Sequence, residues 1–470
     1  MQKWKFFWTN EPVQTLYNYL IKLTQEPLMP EATFHFPRGF LWGTATAAHQ
    51  VEGGNTNNNW HRWEHTPGKI QGEDKSGLAC DWWGGRWKED LRRAKESGQN
   101  AHRFSVEWSR IQPTPETWDE KALDRYLEML RWMEKNGITP MLTLHHFSDP
   151  LWLEDMGGWE NPETPALFAR FTRKVVETFK DYVSLWITIN EPNVYVLAGW
   201  LSGDFPPGKK SLPLAAKVFE NLVRGHAAAY RVIHELQPSA QVGVAVNYRS
   251  FKPARSWNPL DKIPASLQHQ IFNNAFHACL RHGNLNLVLK KVNIPEAANT
   301  QDFIGLNYYS QDLVSFDLSK PGAMFGRLAY PKDAELSPNG FIANIPAGMW
   351  EGLRWAHRFN LPILVTENGV EDDADTLRPR YTIQHLYEVW KAANYNWRVK
   401  GYFHWSLIDN FEWERGWNQR FGLWGLNVKT QERIRRTSVD VYEEICKENG
   451  ISSAMVAKYA PEIFDQLFPS

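Results

Sequence analysis

Two glutamates stand where a carboxylate can do chemistry. One lies in Thr188-Ile189-Asn190-Glu191-Pro192-Asn193, the other in Val365-Thr366-Glu367-Asn368-Gly369-Val370. Each follows a short apolar run, and each has an Asn beside it, a neutral residue able to hold a hydroxyl. Alone, either has an ordinary use. Glu191 precedes Pro and could cap a helix, and Glu367 precedes Asn-Gly and could be a solvated turn residue. As a pair at corresponding positions they fit cleavage of a glycosidic bond. One carboxylic acid protonates the leaving oxygen, while the other attacks the anomeric carbon or activates water. In the retaining version the two stand about 5 Å apart.

Such a pair needs a scaffold that brings residues 191 and 367 to one cleft. Eight short segments are apolar or β-branched and bounded by Gly, Pro, Asn or charge: Phe40–Thr44, Ala101–Val106, Thr139–Leu144, Leu185–Ile189, Gln241–Val246, Asp302–Leu306, Leu361–Val365 and Lys400–Trp405. Near-continuous apolar runs suit strands buried on both faces of a parallel sheet. Helical spacing lies between them. Asp119–Lys135 places Leu123, Tyr126, Leu127, Leu130 and Met133 on one face, with Gly137 where a C-terminal cap belongs. Pro165–Tyr182 carries a stripe of Leu167, Phe171, Val175 and Phe179. Further helices begin near Trp87, Leu212, Ala265, Ala347, Arg380 and Ser438. Eight strand–helix alternations predict an α/β fold, one (β/α)8 TIM barrel over residues 36–470 with long βα loops. Catalytic groups of such barrels sit at the C-terminal ends of strands. That is where Glu191 and Glu367 fall, on strands four and seven.

Residues 1–35 stand outside the alternation. Val13, Leu16, Tyr17 and Leu20 have helical spacing, preceded by Trp4, Phe6, Phe7 and Trp8. The expectation is an extra N-terminal helix packed on the barrel exterior. A membrane-surface helix would carry a Lys/Arg-rich polar face, and this segment does not.

Bulk properties agree with a self-sufficient enzyme domain. Of 470 residues, 52 are Lys or Arg and 53 Asp or Glu, a formal net charge of -1. That balance supplies no electrostatic pull on nucleic acid. Three cysteines, Cys80, Cys279 and Cys446, are too few and too scattered for a disulfide framework or a zinc site, which suits the cytoplasm. No apolar run spans a bilayer, and the N-terminus lacks a secretory pattern. Aromatics make up 14% of residues, with 24 Trp. Most are expected to fill the core, but a Trp face also suits the C–H face of a sugar. His61 and His65 are four apart without the Glu of a HExxH arrangement, so no metal is expected, and no Gly-rich phosphate or dinucleotide motif implies a cofactor. The sequence sets no oligomeric state.

The motifs around both glutamates resemble those of glycoside hydrolase family 1, which contains β-glucosidases, β-galactosidases and broader β-glycosidases. The resemblance runs from about Phe36 to Cys446. It includes Phe36–Ala45 (FPRGFLWGTA), His49–Gly53 (HQVEG), Asp302–Tyr309 (DFIGLNYY) and Trp405–Trp413 (WSLIDNFEW). It implies a retaining exo-β-glycosidase of the β-glucosidase type, acting by double displacement on small-molecule β-glycosides. Glu367 would be the nucleophile and Glu191 the acid/base. Asn190 would hold the sugar 2-hydroxyl. Gln50 and His146 would bind hydroxyls on the far side of the ring. Arg103 and Tyr309 would keep Glu367 ionised and oriented, with Asn307 in support. Trp405 would form the floor, while Glu412 and Trp413 would bind the 4- and 6-hydroxyls. A carboxylate at 412 resembles the branch acting on unphosphorylated hexosides, since it would repel a 6-phosphate.

The roles also make physical sense. An Arg cation and a Tyr hydrogen bond favour the charged form of a nucleophile. The acid starts protonated because its neighbour is ionised, and it becomes a base once that charge is lost to the glycosyl-enzyme. Some features depart from the pattern, among them His145–Pro150 (HHFSDP), where the matching histidine is taken as His146 rather than His145, and the N-terminal extension. His49 replaces a frequent Tyr. Glu107 replaces a small residue and resembles archaeal β-glycosidases and plant galactolipid transferases of the family. That second likeness supports another expectation, transfer of a hexosyl group to a lipid or sugar acceptor. A third is a non-catalytic sugar-binding barrel, which would have no need of both glutamates. Trp152, Trp200 and Phe205 are expected near the aglycone, and Asn55–Asn59 as a loop at the cleft rim.

Overall fold

The structure, a computed structural model, describes residues 31–287 and 290–469. Eight parallel strands close into a barrel: β1 (Leu41–Ala45), β2 (Ala101–Ser105), β3 (Thr139–His145), β4 (Leu185–Asn190), β5 (Gln241–Pro253), β6 (Phe303–Phe316), β7 (Ile363–Asn368) and β8 (Val399–Trp405). Each pairs with the next, and β8 closes on β1 through Gly401↔Leu41 to Trp405↔Ala45. The eight expected strands are therefore the barrel strands. The interior is packed rather than hollow. Gly43 on β1 lies under the Phe403 ring of β8, where a Cβ would stand 2.7 Å from the ring carbon Cδ1.

Two strands outrun their expected ends. β5 and β6 continue past Val246 and Leu306 and stay paired as far as Pro253↔Val314. In these extensions burial alternates along the chain instead of being continuous, so the apolar-run criterion stops short of them. The short strand Gly326–Ala329 adds to β6 in antiparallel fashion. This places Asn247 and Tyr309 on strands at the barrel mouth instead of in loops.

The principal helices are α1 (Trp87–Glu96), α2 (Glu120–Lys135), α3 (Thr164–Phe179), α4 (Leu212–Leu236), α5 (Ala275–His282), α6 (Pro346–His357), α7 (Arg378–Asn394) and α8 (Thr437–Glu448). For α2 the local signals hold. Asp119 Oδ1 accepts from the backbone N–H groups of Lys121 (2.9 Å) and Ala122 (3.1 Å), and Gly137 follows at φ 63°, the C-terminal cap geometry. On α3 the buried side is wider than the expected stripe, adding Phe168, Thr172 and Val176. The helix expected near Ala265 begins earlier, at Pro259, whose fixed φ suits the first helical turn.

The helical pattern of Val13 to Leu20 lies outside the described residues. Thr33–His35, within the 1–35 segment, forms a short strand rather than helix, antiparallel to Gly450–Ser452. Among the described residues no helix is long and apolar enough to cross a membrane.

Candidate active site

A cavity of about 220 Å³ opens at the C-terminal ends of the strands, and both Glu191 and Glu367 line it. Local backbone explains how each gets there. Glu191 follows β4 with a left-handed φ of 41°, a conformation costing a non-glycine residue on the order of 1 kcal/mol or more. It is held by its N–H on Ala245 O (2.7 Å) and by Tyr195 N–H on its own carbonyl (2.9 Å). Pro192 then opens a short helix. Glu367 lies within β7. Two residues on, Gly369 passes so close to Trp405 that a Cβ would sit 1.9 Å from its carbonyl oxygen. Only glycine permits this contact between the ends of β7 and β8.

The two carboxyls have different partners. Glu367 Oε1 accepts from Arg103 Nη1 at 2.5 Å, and Oε2 accepts from the Tyr309 hydroxyl at 2.6 Å. Glu191 Oε1 meets only neutral amides, Asn307 Nδ2 at 2.8 Å and Asn247 Nδ2 at 3.0 Å. The same atoms couple the halves of the site. Arg103 Nη2 donates to Asn190 Oδ1 (2.6 Å), which also accepts from Asn307 Nδ2 (3.3 Å). Asn307 in turn accepts from the Thr366 hydroxyl (2.6 Å).

Burial raises the Glu191 pKa to about 8, with the charge of Glu367 adding to it. Burial also raises Glu367 above its ordinary value. Arg103 and Tyr309 pull it down, as expected of them, but desolvation is the larger influence. The pair is still asymmetric. A full cation touches Glu367 and none touches Glu191, so Glu367 ionises first and Glu191 keeps its proton. Glu412 is a third buried carboxyl, pushed well up by burial and by the charges of Glu414 and Glu367.

The remaining predicted residues gather around this pair. Gln50, on the turn of helix after β1, donates through Nε2 to Asn410 Oδ1, Phe411 O and Glu412 Oε2 (2.9, 2.9 and 3.1 Å). Its Oε1 is buried without a hydrogen-bond partner. His146 Nε2 faces Asn190 Nδ2 at 3.0 Å, leaving Nδ1 buried and likewise unpartnered. Burial, with Arg103 and His145 nearby, lowers the His146 pKa well below its ordinary value. The ring is therefore neutral, accepting at Nε2 and donating at Nδ1. Its ring centroid lies 5.8 Å from those of both Trp405 and Trp413, with the planes inclined at 28° and 23°. His146 Nδ1 is thus an unmet donor beside two aromatic faces of the cavity, while Gln50, with its unmet acceptor, stands behind Glu412 and is not among the lining residues. The neighbouring His145 does not line this cavity and sits behind it against Asp149 (3.2 Å).

Other expectations divide. Phe205 lines the cavity, while Trp152 and Trp200 do not. Their indole N–H groups are tied to Gln112 O and Glu160 Oε1, which makes them supports of the rim. Within Asn55–Asn59, Asn58 is buried and caps a short helix, Asn59–Glu64, that begins at Asn59. Glu107 is fully buried outside the cavity, hydrogen-bonded to Ser148 (2.6 Å) and Ser109 (3.1 Å). Its pKa is raised to about 7, by burial first and by Glu52 second. Among the direct partners of the two glutamates, the sequence expectations omit Asn247, which follows the apolar run of strand five just as Asn190-Glu191 and Thr366-Glu367 follow those of strands four and seven.

A sequence profile of glycosyl hydrolase family 1 matches residues 32–451. The chain is 36% identical over 449 residues to β-glucosidase A of Thermotoga maritima, covering 88% of this chain and 98% of that one. It is 30% identical over 500 residues to a β-galactosidase of Pyrococcus woesei, covering 89% and 98%. Among solved structures, a β-glucosidase from Thermotoga maritima in complex with glucoimidazole superposes with a TM-score of 0.85 at 34% identity, covering 89% of this chain and all of that one. A β-glycosidase from Pyrococcus horikoshii gives 0.85 at 35%, covering 91% and 98%.

Proposed function

The chain belongs to glycosyl hydrolase family 1, and from that membership we propose the roles that its residues take in a retaining β-glucosidase-type hydrolase. The substrate class is a small β-glycoside whose terminal non-reducing residue is β-D-glucosyl or a related hexosyl. Glu367 is the nucleophile, displacing the aglycone to form a glycosyl ester. Glu191 gives its proton to the departing oxygen. Once the ester has neutralised Glu367, the charge that raised Glu191 is gone, and Glu191 takes a proton from a water whose oxygen bonds the anomeric carbon as the ester bond to Glu367 breaks and its carboxylate is released. The observation carrying this reading is the unequal partnering of the two buried carboxyls, Arg103 and Tyr309 on one and neutral amides on the other.

The other residues bind and orient. Asn190, fixed by Arg103, holds the 2-hydroxyl. The unpartnered Gln50 Oε1 and His146 Nδ1 take hydroxyls on the far side of the ring. Trp405 supplies the floor, Glu412 and Trp413 meet the 4- and 6-hydroxyls, and Asn307, expected in support of Glu367, instead gives its 2.8 Å hydrogen bond to Glu191 while also helping to lower the Glu367 pKa. The three buried, unpaired cysteines suit a reducing compartment, and the cytoplasm is the proposed location. Transfer to a lipid or sugar acceptor, and sugar binding without turnover, draw no support from the glucosidase and galactosidase relatives.

The test is Glu367→Ala. It should abolish hydrolysis of aryl β-glucosides, and added azide should restore turnover by forming the α-glycosyl azide. Near wild-type activity, or a β-azide product, would discard the nucleophile assignment.

A further inference from the structure

Away from the cavity, the loop joining β1 to α1 contains the short helix Asn59–Glu64, closed by His65. Its sequence, His61-Arg62-Trp63-Glu64-His65, spaces two imidazoles and a carboxylate at i, i+3 and i+4. Those positions share one helical face. The sequence alone has no HExxH here, because Glu64 comes third after His61 rather than directly after it. The fold makes the difference by bringing one carboxylate oxygen to the edge of both rings, whose centroids stand 4.1 Å apart. Glu64 Oε1 is 3.5 Å from His61 Nδ1 and 3.8 Å from His65 Nδ1. One ligand atom from each of the three lies within 4.8 Å of those of the other two. Side-chain rotation closes such gaps around one ion.

We propose that His61, Glu64 and His65 form a divalent-metal site fitted to zinc, separate from the glycoside-cleaving cavity. Two imidazoles and one carboxylate are a zinc donor set that leaves a fourth, solvent-facing position. The site has outer supports of the kind metal sites use. Ser76 donates to Glu64 through both N–H (2.9 Å) and Oγ (3.1 Å). His65 Nδ1 bonds the His61 carbonyl at 2.7 Å, which leaves Nε2 as the ring's free ligand atom. The Glu64 side chain is 2% exposed, and its ion-pair neighbours among the described residues are three imidazoles: His61, His65 and His49. A buried carboxylate calls for a positive partner, and a cation held by the two exposed-side histidines supplies it. The deeper carboxylate oxygen has its own neighbour. His49 Nε2 is buried, makes no hydrogen bond, and lies 3.9 Å from Glu64 Oε2. His61 and His65 are accessible enough to admit an ion, at 29% and 51% side-chain exposure. The same short helix packs Trp60 against Trp413 (4.7 Å) and Phe205 (4.9 Å). An occupied site therefore stiffens one wall of the cleft entrance.

The experiment is calorimetric titration of zinc chloride into the full-length, chelator-treated protein and into the His61→Ala/His65→Ala variant. Neither residue belongs to the cleavage machinery, so aryl-glucoside hydrolysis and circular dichroism verify that the variant is folded. A single saturable site near one zinc per chain, weakened at least about tenfold in the variant, supports the proposal. Absence of saturable binding, or equal affinity in both proteins, overturns it. Should the variant misfold, cobalt(II) added to the wild-type protein decides. Intense visible absorption of a tetrahedral site, bleached by zinc, supports the site, and the weak spectrum of the aquo ion refutes it.

Discussion

Replacing Tyr309 by Phe deletes one hydroxyl and leaves the ring that packs edge-on against Phe421 at 6.1 Å. That hydroxyl is the 2.6 Å donor to Glu367 Oε2. A hydrogen bond to a charged group is worth about 1.5–3 kcal/mol. The bond favours the carboxylate over the carboxylic acid, so its loss raises the Glu367 pKa. At about 1.36 kcal/mol per unit, the acidic limb of kcat/KM should move to higher pH by roughly 1–2 units. The sign is unambiguous: Tyr309 lowers this pKa, and removing a lowering influence raises it. The alkaline limb, set by Glu191, should move far less, because no hydrogen bond links Tyr309 to it. The assay is kcat/KM against pH for an aryl β-glucoside, wild type beside Tyr309→Phe. Coincident acidic limbs would refute the claim that this phenol tunes the nucleophile. An alkaline limb that moved as much as the acidic one would show that the two carboxyls cannot be treated as separately partnered.

Other expectations concern the rest of the site. Wild-type kcat/KM should fall above about pH 8 as Glu191 loses its proton. Asn247→Ala removes a donor that lowers that pKa, so the alkaline limb should shift upward by as much as about one unit; a downward shift would contradict the geometry. Glu191→Ala should cost ~10²–10⁴ in kcat/KM on glycosides with poor leaving groups and far less on activated aryl glycosides, and a Brønsted plot against leaving-group pKa checks the difference. Gly369→Ala drives a methyl into the Trp405 carbonyl. Overpacking of this kind costs about 1–3 kcal/mol, read by urea unfolding, and displacement of Glu367 and Trp405 should lower kcat/KM by roughly a hundredfold.

The eight barrel strands and the placing of Glu191 and Glu367 at the barrel mouth are legible in the sequence because they rest on local patterns. Continuous apolar runs mark strands buried on both faces, and the residue just past each run marks the barrel mouth. Asp119 and Gly137 bound α2 by backbone chemistry that needs no tertiary partner. The outward extensions of β5 and β6 are not legible this way. Their half-buried alternation is shorter and weaker than a core run, and so Asn247 escaped notice. Residues 31–35 read as part of an N-terminal helical segment, yet Thr33–His35 pair with Gly450–Ser452, more than four hundred positions away.

What only the tertiary structure decided is which groups touch which. Arg103 on β2, Asn190 on β4, Asn307 on β6 and Glu367 on β7 form one hydrogen-bonded chain across the barrel mouth. Nothing in their order along the polypeptide states that the Arg103 guanidinium lies on Glu367 rather than on Glu191. The same holds for Glu64, an unremarkable helical residue until folding buries it beside His61 and His65. Sequence determines which side chains are available and on which element they ride. Charge, desolvation and hydrogen bonding act over a few ångströms, and that scale is set by closure of the barrel.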